Sequence, residues 1–598
     1  MADSIATECS SAATPIHDIQ GMTPRSSRVN QIHTVHGIVT ADFSKHDQLE
    51  GYYIQSALSE QDQDNRSSEG IFIHRKNFPR QLSVGDLISA RGKVVEFHGS
   101  TRIQLTRPPI ICSSNHLIIP TVLKLPNSAE ALEALEGMLV ELPQTLTITD
   151  NTAFEKWATL TLGLQRQFFA TSTNTRSTQD SIRHPDSELI DTIILDHNSH
   201  TAFPSHSTSR VESPEHLLPK NDHFQDNPLL RTGNQINSLQ GILDYQYGQY
   251  RLYPLKMPTF NPTNPRPSPP SKSAGTQIRL VSFNLKNYFN GPQFPTSRGV
   301  HSAGEFEIQQ LKTVAALSAL NADIIGLQEL ENDGYEAQSA IQTLTEALSL
   351  KGIRYHYIRP TTLRLGSDRI AVGILYRADK LTPMSRSAHS NSDRLNSSAS
   401  APKLSPHNRV PMTQSFQLSG SEYRFTVSVN HFKSKAGCPS KHSKLLDQDH
   451  GMGCWNSTRN RAAKQLSKWL INNIAPRDQP IFILADLNSY PHESPLKSFA
   501  DAQFEDLLQP RVAPQQNYSY VHRSKPGRLD YVLLYSAPPH ETDLQTTNIR
   551  VNRVGIWHIN ADEITPPNRA APKADHWIAS SDHDPVFVDF EFLNPLNL

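Results

Sequence analysis

Six stretches in the second half of the chain place a carboxylate, carboxamide or imidazole where an apolar run stops or starts. IRLVSFN closes on Asn284, ADIIGLQE on Glu329, FTVSVNH on His431, and IFILADLN on Asp486 with Asn488 two residues further. RLDYVLLY opens after Asp530, and SDHDPVFVDF opens after Asp582 and His583. Taken singly, each has a bland reading. Asn and Asp cap turns, Glu329 could be surface charge beside Glu331, and His431 could be a satisfied, half-buried histidine. Six such run ends in one chain are harder to assign to turns. Antiparallel neighbours put the end of one strand beside the start of the next, so the set is expected at one edge of a packed sheet pair.

The residue types suit one chemistry. Asn284, Glu329, Asp486 and Asp582 offer hard oxygen donors, which fit Mg²⁺ or Mn²⁺, with Ca²⁺ as a third candidate, rather than zinc. Two histidines near carboxylates supply a proton acceptor and an electrostatic or acid partner. Together these are what phosphodiester hydrolysis needs: charge offset on a non-bridging oxygen and a base that activates water for in-line attack. Serine acyl chemistry is disfavoured by the lack of a G-x-S-x-G elbow. An NTPase is disfavoured by the lack of a G-x-x-x-x-G-K-[ST] loop.

These residues must be positioned by a large scaffold. At 598 residues the chain exceeds one core, and two to four domains are expected. The net charge of −1 gives no global field for steering a polyanion, so nucleic-acid binding would need local basic surface. No apolar run reaches the length of a membrane-spanning helix, so no membrane association is expected. The start, MADSIATECSSAATPIHDIQG, lacks an apolar signal core, which is expected of a processed, secreted or periplasmic chain. The four cysteines form no C-x-x-C pair, against a zinc knuckle or redox motif. Cys438 and Cys454 bracket one polar loop, and Cys9 and Cys112 bracket the first domain. Two bridges, Cys9–Cys112 and Cys438–Cys454, are expected, as suits an oxidising compartment; four reduced thiols are the alternative.

After a tail (1–27), residues 28–118 read as short strands (TVHGIVTADF, GYYIQSAL, GIFIH, VGDLISARGKVVEFHGSTRIQL) punctuated by glycine, which suits a small OB-like barrel. Residues 119–260 form a second β-rich, OB-like module. Gly92, Gly99 and Arg102 in the first region match Gly241, Gly248 and Arg251 in the second at the same spacing. TSTNTRSTQDSIRHPDSE and PSHSTSRVESPEHLLPKNDH read as polar loops. NPTNPRPSPPSKSAG, 261–275, is an extended proline-rich linker. In 276–598 strand-like runs alternate with amphipathic helices. One is marked by Ile308, Leu311, Ala315 and Leu317, another by Ala462, Leu466, Trp469 and Leu470.

SFNLKNYFN, GLQELEN, VNHFKSK, ILADLNSY, GRLDYVLLY and SSDHDPVFVDF resemble, in order, the motifs of the endonuclease/exonuclease/phosphatase superfamily. IHDIQG, EGMLV, WNSTRNRAA and WHINADE extend the likeness toward its large bacterial secreted nucleases, which carry an OB-like module before the catalytic domain. The resemblance implies an α/β, four-layered αββα sandwich over Thr276–Phe592. It implies Glu329 as principal metal ligand with Asn284 and Asp582 nearby, and Asp486 and Asn488 positioning water or a second metal. It implies His583 as general base oriented by Asp530, and His431 on the phosphate. The glutamate that pairs the first histidine in the deoxyribonuclease branch has no match here, and Asp368 is the nearest substitute. Arg409, Lys433, Lys435, Arg459 and Arg461 are expected to cluster around the active edge; Arg409, Lys433 and Arg459 are the candidates for substrate phosphates.

The expected function is a secreted, monomeric, metal-dependent nuclease acting on DNA, and on RNA as a further substrate, with little sequence specificity. A phosphatase or sphingomyelinase-type phosphodiesterase on the same fold is the first alternative. A catalytically dead nucleic-acid-binding or adhesive protein is the second. Retention of Glu329, Asp486, Asp582 and His583 together argues against the latter.

Overall fold

The computed structural model describes residues 9, 12–45, 48–62, 64–75, 78, 82–173, 189–196, 228–256, 258–384, 388–389, 407–439, 452–474, 479–536, 549–564 and 576–593. Of the two expected polar loops, all but Thr171–Thr173 lies outside the described residues. The chain forms two compact units, Met1–Arg166 with His184–Pro265, and Gln167–Arg183 with Arg266–Leu598.

In the first unit, β1 (Ile32–Phe43), β2 (Gly51–Gln55), β3 (Gly70–His74), β4 (Leu87–Phe97), β5 (Ser100–Leu105) and β6 (Ile110–Ser113) make a sheet ordered β1-β2-β3-β5-β4-β6. The long β1 pairs β2 through its C-terminal half and β4 through its N-terminal half, so the sheet closes on itself. The next strands are β7 (Thr121–Val122), β8 (Leu139–Leu142), β9 (Leu146–Asp150), β10 (Thr159–Gly163), β11 (Thr192–Asp196), β12 (Gln235–Asn237), β13 (Leu239–Gln246), β14 (Gln249–Pro254) and β15 (Thr259–Asn261). Their order is β15-β12-β9-β10-β11-β14-β13-β8-β7. The run β9-β10-β11-β14-β13-β8 repeats the first sheet's order, with the broken pair β8 and β9 in place of β1.

The repeated spacing falls on matching positions. Gly99 and Gly248 adopt φ of 96° and 80° in the β4–β5 and β13–β14 turns, a region that suits glycine. Arg102 faces Phe72 on β3, and Arg251 faces Ile194 on β11, both across parallel pairs.

The second unit stacks two mixed sheets. The first contains β16 (Ile278–Tyr288), β17 (Ile324–Glu331), β18 (His356–Tyr357), β19 (Ile370–Tyr376), β28 (Ile549–Ile556) and β29 (Val586–Phe592), ordered β18-β19-β17-β16-β29-β28. The second contains β20 (Leu381–Pro383), β21 (Met412–Leu418), β22 (Arg424–His431), β23 (Ile481–Asp486), β24 (Phe504–Asp506) and β27 (Asp530–Tyr535), ordered β20-β21-β22-β23-β27-β24. A separate hairpin joins β25 (Tyr520–His522) to β26 (Lys525–Gly527).

The helices are α1 (Ala303–Leu320), α2 (Ala340–Leu350), α3 (Asn456–Trp469) and α4 (Ser494–Asp501). Strand periodicity explains the layering. On β23, Phe482 and Leu484 join the core that also holds Phe425, Val427 and Phe590, whereas Ile481, Ile483 and Ala485 pack with Ala462, Leu466 and Trp469 of α3 and Phe499 of α4. Phe482 and Phe590 meet across the sheets at 4.8 Å.

Three expectations need correction. Asn284 and Glu329 do not end their strands: β16 and β17 continue beyond them through bulges, because Asn284 and Tyr288 pair Gln328 and Leu330 out of step. The neighbouring strands are not all antiparallel, since β16–β17 and β22–β23 are parallel and bring like ends together directly. On α1 the buried face includes Val314, Ala316, Leu317 and Leu320, whereas Ile308, Leu311 and Ala315 are half-buried. Gln309 and Lys312 are also buried on this helix; Gln309 donates to the carbonyls of Leu285 and Lys286 in the β16 bulge, so a polar contact turns the face.

Both expected disulfides are present, with Cα separations of 5.6 Å for Cys9–Cys112 and 5.3 Å for Cys438–Cys454. Arg279 on β16 makes a fully buried bidentate pair with Asp589 on β29, at 2.6 and 2.8 Å, and donates its other hydrogens to the carbonyls of Pro270, Ser271 and Leu320. It thereby fixes part of the proline-rich segment against the sheet. Asp589→Ala would leave that guanidinium buried and unpaired, a change expected to cost about 3–5 kcal/mol, read as a lower urea midpoint for this unit at unchanged m.

Candidate active site

The bulges in β16 and β17 aim Asn284 and Glu329 at the end of the sandwich where β22 and β23 finish. Glu329 is held at φ 61°, a costly conformation for a residue with a Cβ. Its Oε2 accepts from the Asn287 amide at 2.9 Å, and Oε1 lies 3.9 Å from His431 Nε2. Asn284 Nδ2 donates to Asp486 Oδ2 at 3.0 Å across the two sheets, leaving its carbonyl to the Lys286 amide. Parallel register sets His431 beside Asp486, and antiparallel register sets Asp486 beside Asp530. Asn488, at φ 48°, sends its amide N–H back to Asp486 Oδ1 and its Nδ2 to the Phe432 carbonyl.

His583 stands in the turn before β29. Its Nδ1 lies 2.8 Å from Asp530 Oδ2, which also accepts from Ser519 Oγ at 2.6 Å. One ligand atom each of Asp486, Asp530 and His583 fall within 4.8 Å of one another. Asp582 faces Lys286 Nζ at 3.8 Å. The structure therefore brings Asn284, Glu329, His431, Asp486, Asn488, Asp530, Asp582 and His583 to one edge.

Burial and like charge dominate the electrostatics. Burial, reinforced by Asp582, raises the Glu329 carboxyl. Burial raises Asp486 as well, with Asp530 and Glu329 adding to it and His583 opposing. At Asp582 burial works upward, but Lys286 and His583 outweigh it and hold the group below its ordinary value. Burial would lower His583, yet Asp530, with Asp486 and Asp582, lifts it well above the usual imidazole range. His431 goes the other way: burial, then the Arg409 and His583 charges, keep it neutral.

A cluster of mutually repelling, oxygen-bearing side chains, one of them with a buried oxygen that has no hydrogen-bond partner among the described residues (Asp530 Oδ1), fits a hard divalent cation. Glu329, Asn284 and Asp582, with Asp486 and Asn488, are the expected holders, and Asp486, Asp530 and His583 are the side chains whose ligand atoms the structure brings within 4.8 Å of one another.

The basic candidates are placed differently from one another. Arg409 reaches the site, with Nη1 3.3 Å from His431 Nε2 and Nε 3.0 Å from Asp368 Oδ2. Asp368 therefore reaches His431 only through Arg409, which corrects its expected role as direct partner. Arg459 is corrected too. It is wholly buried, and donates to Ser489 Oγ and to the carbonyls of Lys433, Cys454 and Met452, so it builds the loop and does not face substrate. Lys433 Nζ bonds within its own loop, to Ser434 and Ala436, and lies over the Trp455 ring. Lys435 pairs with buried Glu493. Arg461 is exposed on α3.

Sequence reasoning missed several contributors. Tyr520 stacks on His583 at 4.7 Å, and Ser519 orients Asp530. Asn560, in the WHINADE stretch, donates to the His583 carbonyl at 2.6 Å. Asp584 is structural, pairing His558 at 2.9 Å and accepting the amides of Ile559 and Asn560. The quoted stretches WHINADE and SSDHDPVFVDF carry Asn560 and Asp584, the latter read from sequence as part of the site wall; nothing in the sequence pointed to Ser519 or Tyr520.

Residues 290–583 match the model of the Endonuclease/Exonuclease/phosphatase family, and this stretch is a domain of that family. Its members are metal-dependent hydrolases acting on phosphoesters. Residues 125–262 match a domain of unknown function, DUF8508. No curated protein matches the chain. Among solved structures it is similar to the human Nocturnin catalytic domain with bound sulfate, at 16% identity over 53% of this chain and 94% of that one, with a TM-score of 0.33. A mannosyl-6-phosphatase of Bacteroides thetaiotaomicron VPI-5482 gives 16% identity over 53% and 100%, with a TM-score of 0.35. D. rerio TDP2 complexed with single-strand DNA product gives 14% identity over 52% and 98%, with a TM-score of 0.32.

If the acidic edge binds a cation, Mn²⁺ titrated into chelator-stripped protein is expected to bind there, as followed by electron paramagnetic resonance. Glu329→Gln should weaken that binding by at least about tenfold, whereas Arg459→Ala should leave it intact in whatever fraction folds.

Proposed function

We propose that the chain is a secreted, metal-dependent phosphodiesterase that cuts DNA, and RNA as a further substrate, with little sequence preference. The observation that carries this is the meeting of a hard-oxygen donor set with a His583–Asp530 pair at one edge, formed from segments spread between Asn284 and His583. A divalent cation bound there, Mg²⁺ or Mn²⁺ before Ca²⁺, would offset charge on a phosphate oxygen and screen the carboxylates that otherwise keep His583 protonated. Asp530 accepts from Nδ1, which fixes the tautomer and leaves Nε2 of the neutral ring to take a proton from water. Asn284 and Asn488 hold Asp486 from two sides. Neutral His431, beside the Arg409 guanidinium, meets the phosphate, with Arg409 supplying positive charge.

The closing order β1-β2-β3-β5-β4, repeated in the second module, supports an OB-like reading of both, and such barrels commonly bind single strands. Exposed Arg523 and Lys525 lie on the hairpin that carries Tyr520, giving local basic surface despite the neutral total. Two disulfides, with no free cysteine among the described residues, support an oxidising compartment. No helix among the described residues is long and apolar enough to cross a membrane. We read the protein as a monomer.

Plasmid, single-stranded DNA, RNA, sphingomyelin and an inositol phosphate incubated with Mg²⁺, with and without chelator, test the reading. Chelator-sensitive nicking or smearing of nucleic acid is expected. Turnover of lipid or inositol phosphate alone would replace it, and binding without turnover would end it. His583→Ala should cut kcat by roughly 10²–10⁴ with unchanged circular dichroism.

A further inference from the structure

The hairpin β25–β26 stands apart from both large sheets. Its two strands pair only with each other among the described residues, through Tyr520↔Gly527, Val521↔Pro526 and His522↔Lys525. An isolated two-stranded hairpin is marginal in water. Yet this one sets Tyr520 against the His583 ring, and Ser519, just before it, bonds to Asp530 Oδ2 while accepting the Asp584 amide on its carbonyl. Something must hold the hairpin still.

The brace comes from the middle of the domain of unknown function. Gln167–Thr173 lies within the 125–262 match but belongs to the second compact unit. Phe169 stacks on Tyr490 at 4.6 Å and 19°, and more distantly on His522 at 6.4 Å and 20°. Its amide donates to the Pro526 carbonyl at 3.4 Å. Phe168 meets Tyr518 edge-on at 6.1 Å. Thr171 anchors the segment on both sides: its hydroxyl donates to Glu493 Oε1 at 3.1 Å, and its carbonyl accepts the His492 amide at 2.9 Å. Packing under the hairpin is close. A Cβ at Gly527 would come within 2.3 Å of the Tyr490 ring and 2.9 Å of Ser172 Oγ.

We propose that Phe169 and Thr171 are positioning residues for the hydrolytic site, acting through the 520–527 hairpin on Tyr520 and Ser519, and thus on the His583–Asp530 pair. A segment inside the 125–262 match thereby forms part of the unit that carries the site. This inference rests on the reading of His583–Asp530 as the reacting pair.

The test uses the full chain. In Phe169→Ala, amide hydrogen exchange of peptides covering 519–527 should speed up while peptides covering β22 and β23 stay unchanged. The kcat on DNA should fall about 10–100-fold, the size of loss expected when reacting groups are misplaced by around an ångström. KM and Mn²⁺ affinity should move by less than about twofold, because no substrate or cation ligand is touched. Phe169→Tyr keeps the stack and should restore kcat. If Phe169→Ala loses Mn²⁺ binding and is therefore misfolded, Thr171→Val, which deletes one hydrogen bond, should show the same pattern at smaller amplitude. Unchanged exchange at 519–527, or wild-type kcat in both variants, overturns the proposal. A wild-type protein that turns over no phosphoester overturns the functional reading instead, and the exchange result alone then decides whether the brace exists.

Discussion

Glu329, Asp486, Asp530 and Asp582 repel one another at one edge of the sandwich, Asp486 and Asp530 buried and Glu329 and Asp582 partly exposed, and that repulsion shapes the second unit. No carboxylate cluster of this kind assembles because its members attract; each must be pinned by the backbone that carries it. The pins are specific. Glu329 itself sits in a strained left-handed conformation and accepts the Asn287 amide, the Asn488 amide returns to Asp486, Ser519 grips Asp530, and Lys286 faces Asp582. The partial relief the protein provides on its own is His583, whose imidazole is drawn toward the charged form by three of the four. A divalent ion would complete the relief.

Pinning at this accuracy needs a stiff scaffold, and the sandwich supplies it through strands buried on both faces. β23 alternates between the inter-sheet aromatic core and the helical layer of α3 and α4, so a one-residue slip would put every side chain on the wrong face. Its last residue is Asp486. The buried Arg279–Asp589 pair does similar work on β16, whose bulge carries Asn284, and Gln309 secures the bulge carbonyls from α1.

What could be read from the sequence follows from this division. Polar residues bounding apolar runs were legible as a group because burying strands leave few places for them. His431, Asp486 and Asp530 do stand at strand termini. The bulges were not legible, since an apolar run that crosses a register shift looks the same as one that stops. The same limit misassigned Arg459: WNSTRNRAA shows a charged helix start, but only tertiary packing turns that guanidinium inward onto three carbonyls. Asp368 fails for a related reason, because its partner Arg409 lies 41 residues away. The stack on Tyr490 was further out of reach, 321 positions along the chain from Phe169. Both cysteine pairs were readable because bracketing a segment is itself a statement about spatial closure.

The two β-modules of the first unit show how a repeat diverges once its copies touch. Arg102 and Arg251 occupy one structural position, but Arg251 pairs with Asp196 inside its own module at 2.6 Å, whereas Arg102 reaches Asp244 of the other module at 3.5 Å. Tyr53 and Ser100 of the first module also donate to Asp244, and Gln246 donates to it from within the second. Around this buried carboxylate, Phe43, Tyr53 and Phe72 share one cluster with Leu139, Ile242 and Tyr253. A fully buried aspartate satisfied from both modules penalises their separation, because either module alone would leave charged or polar groups unpaired. The pair should therefore unfold as one body. The two modules thus present one fixed surface made of both.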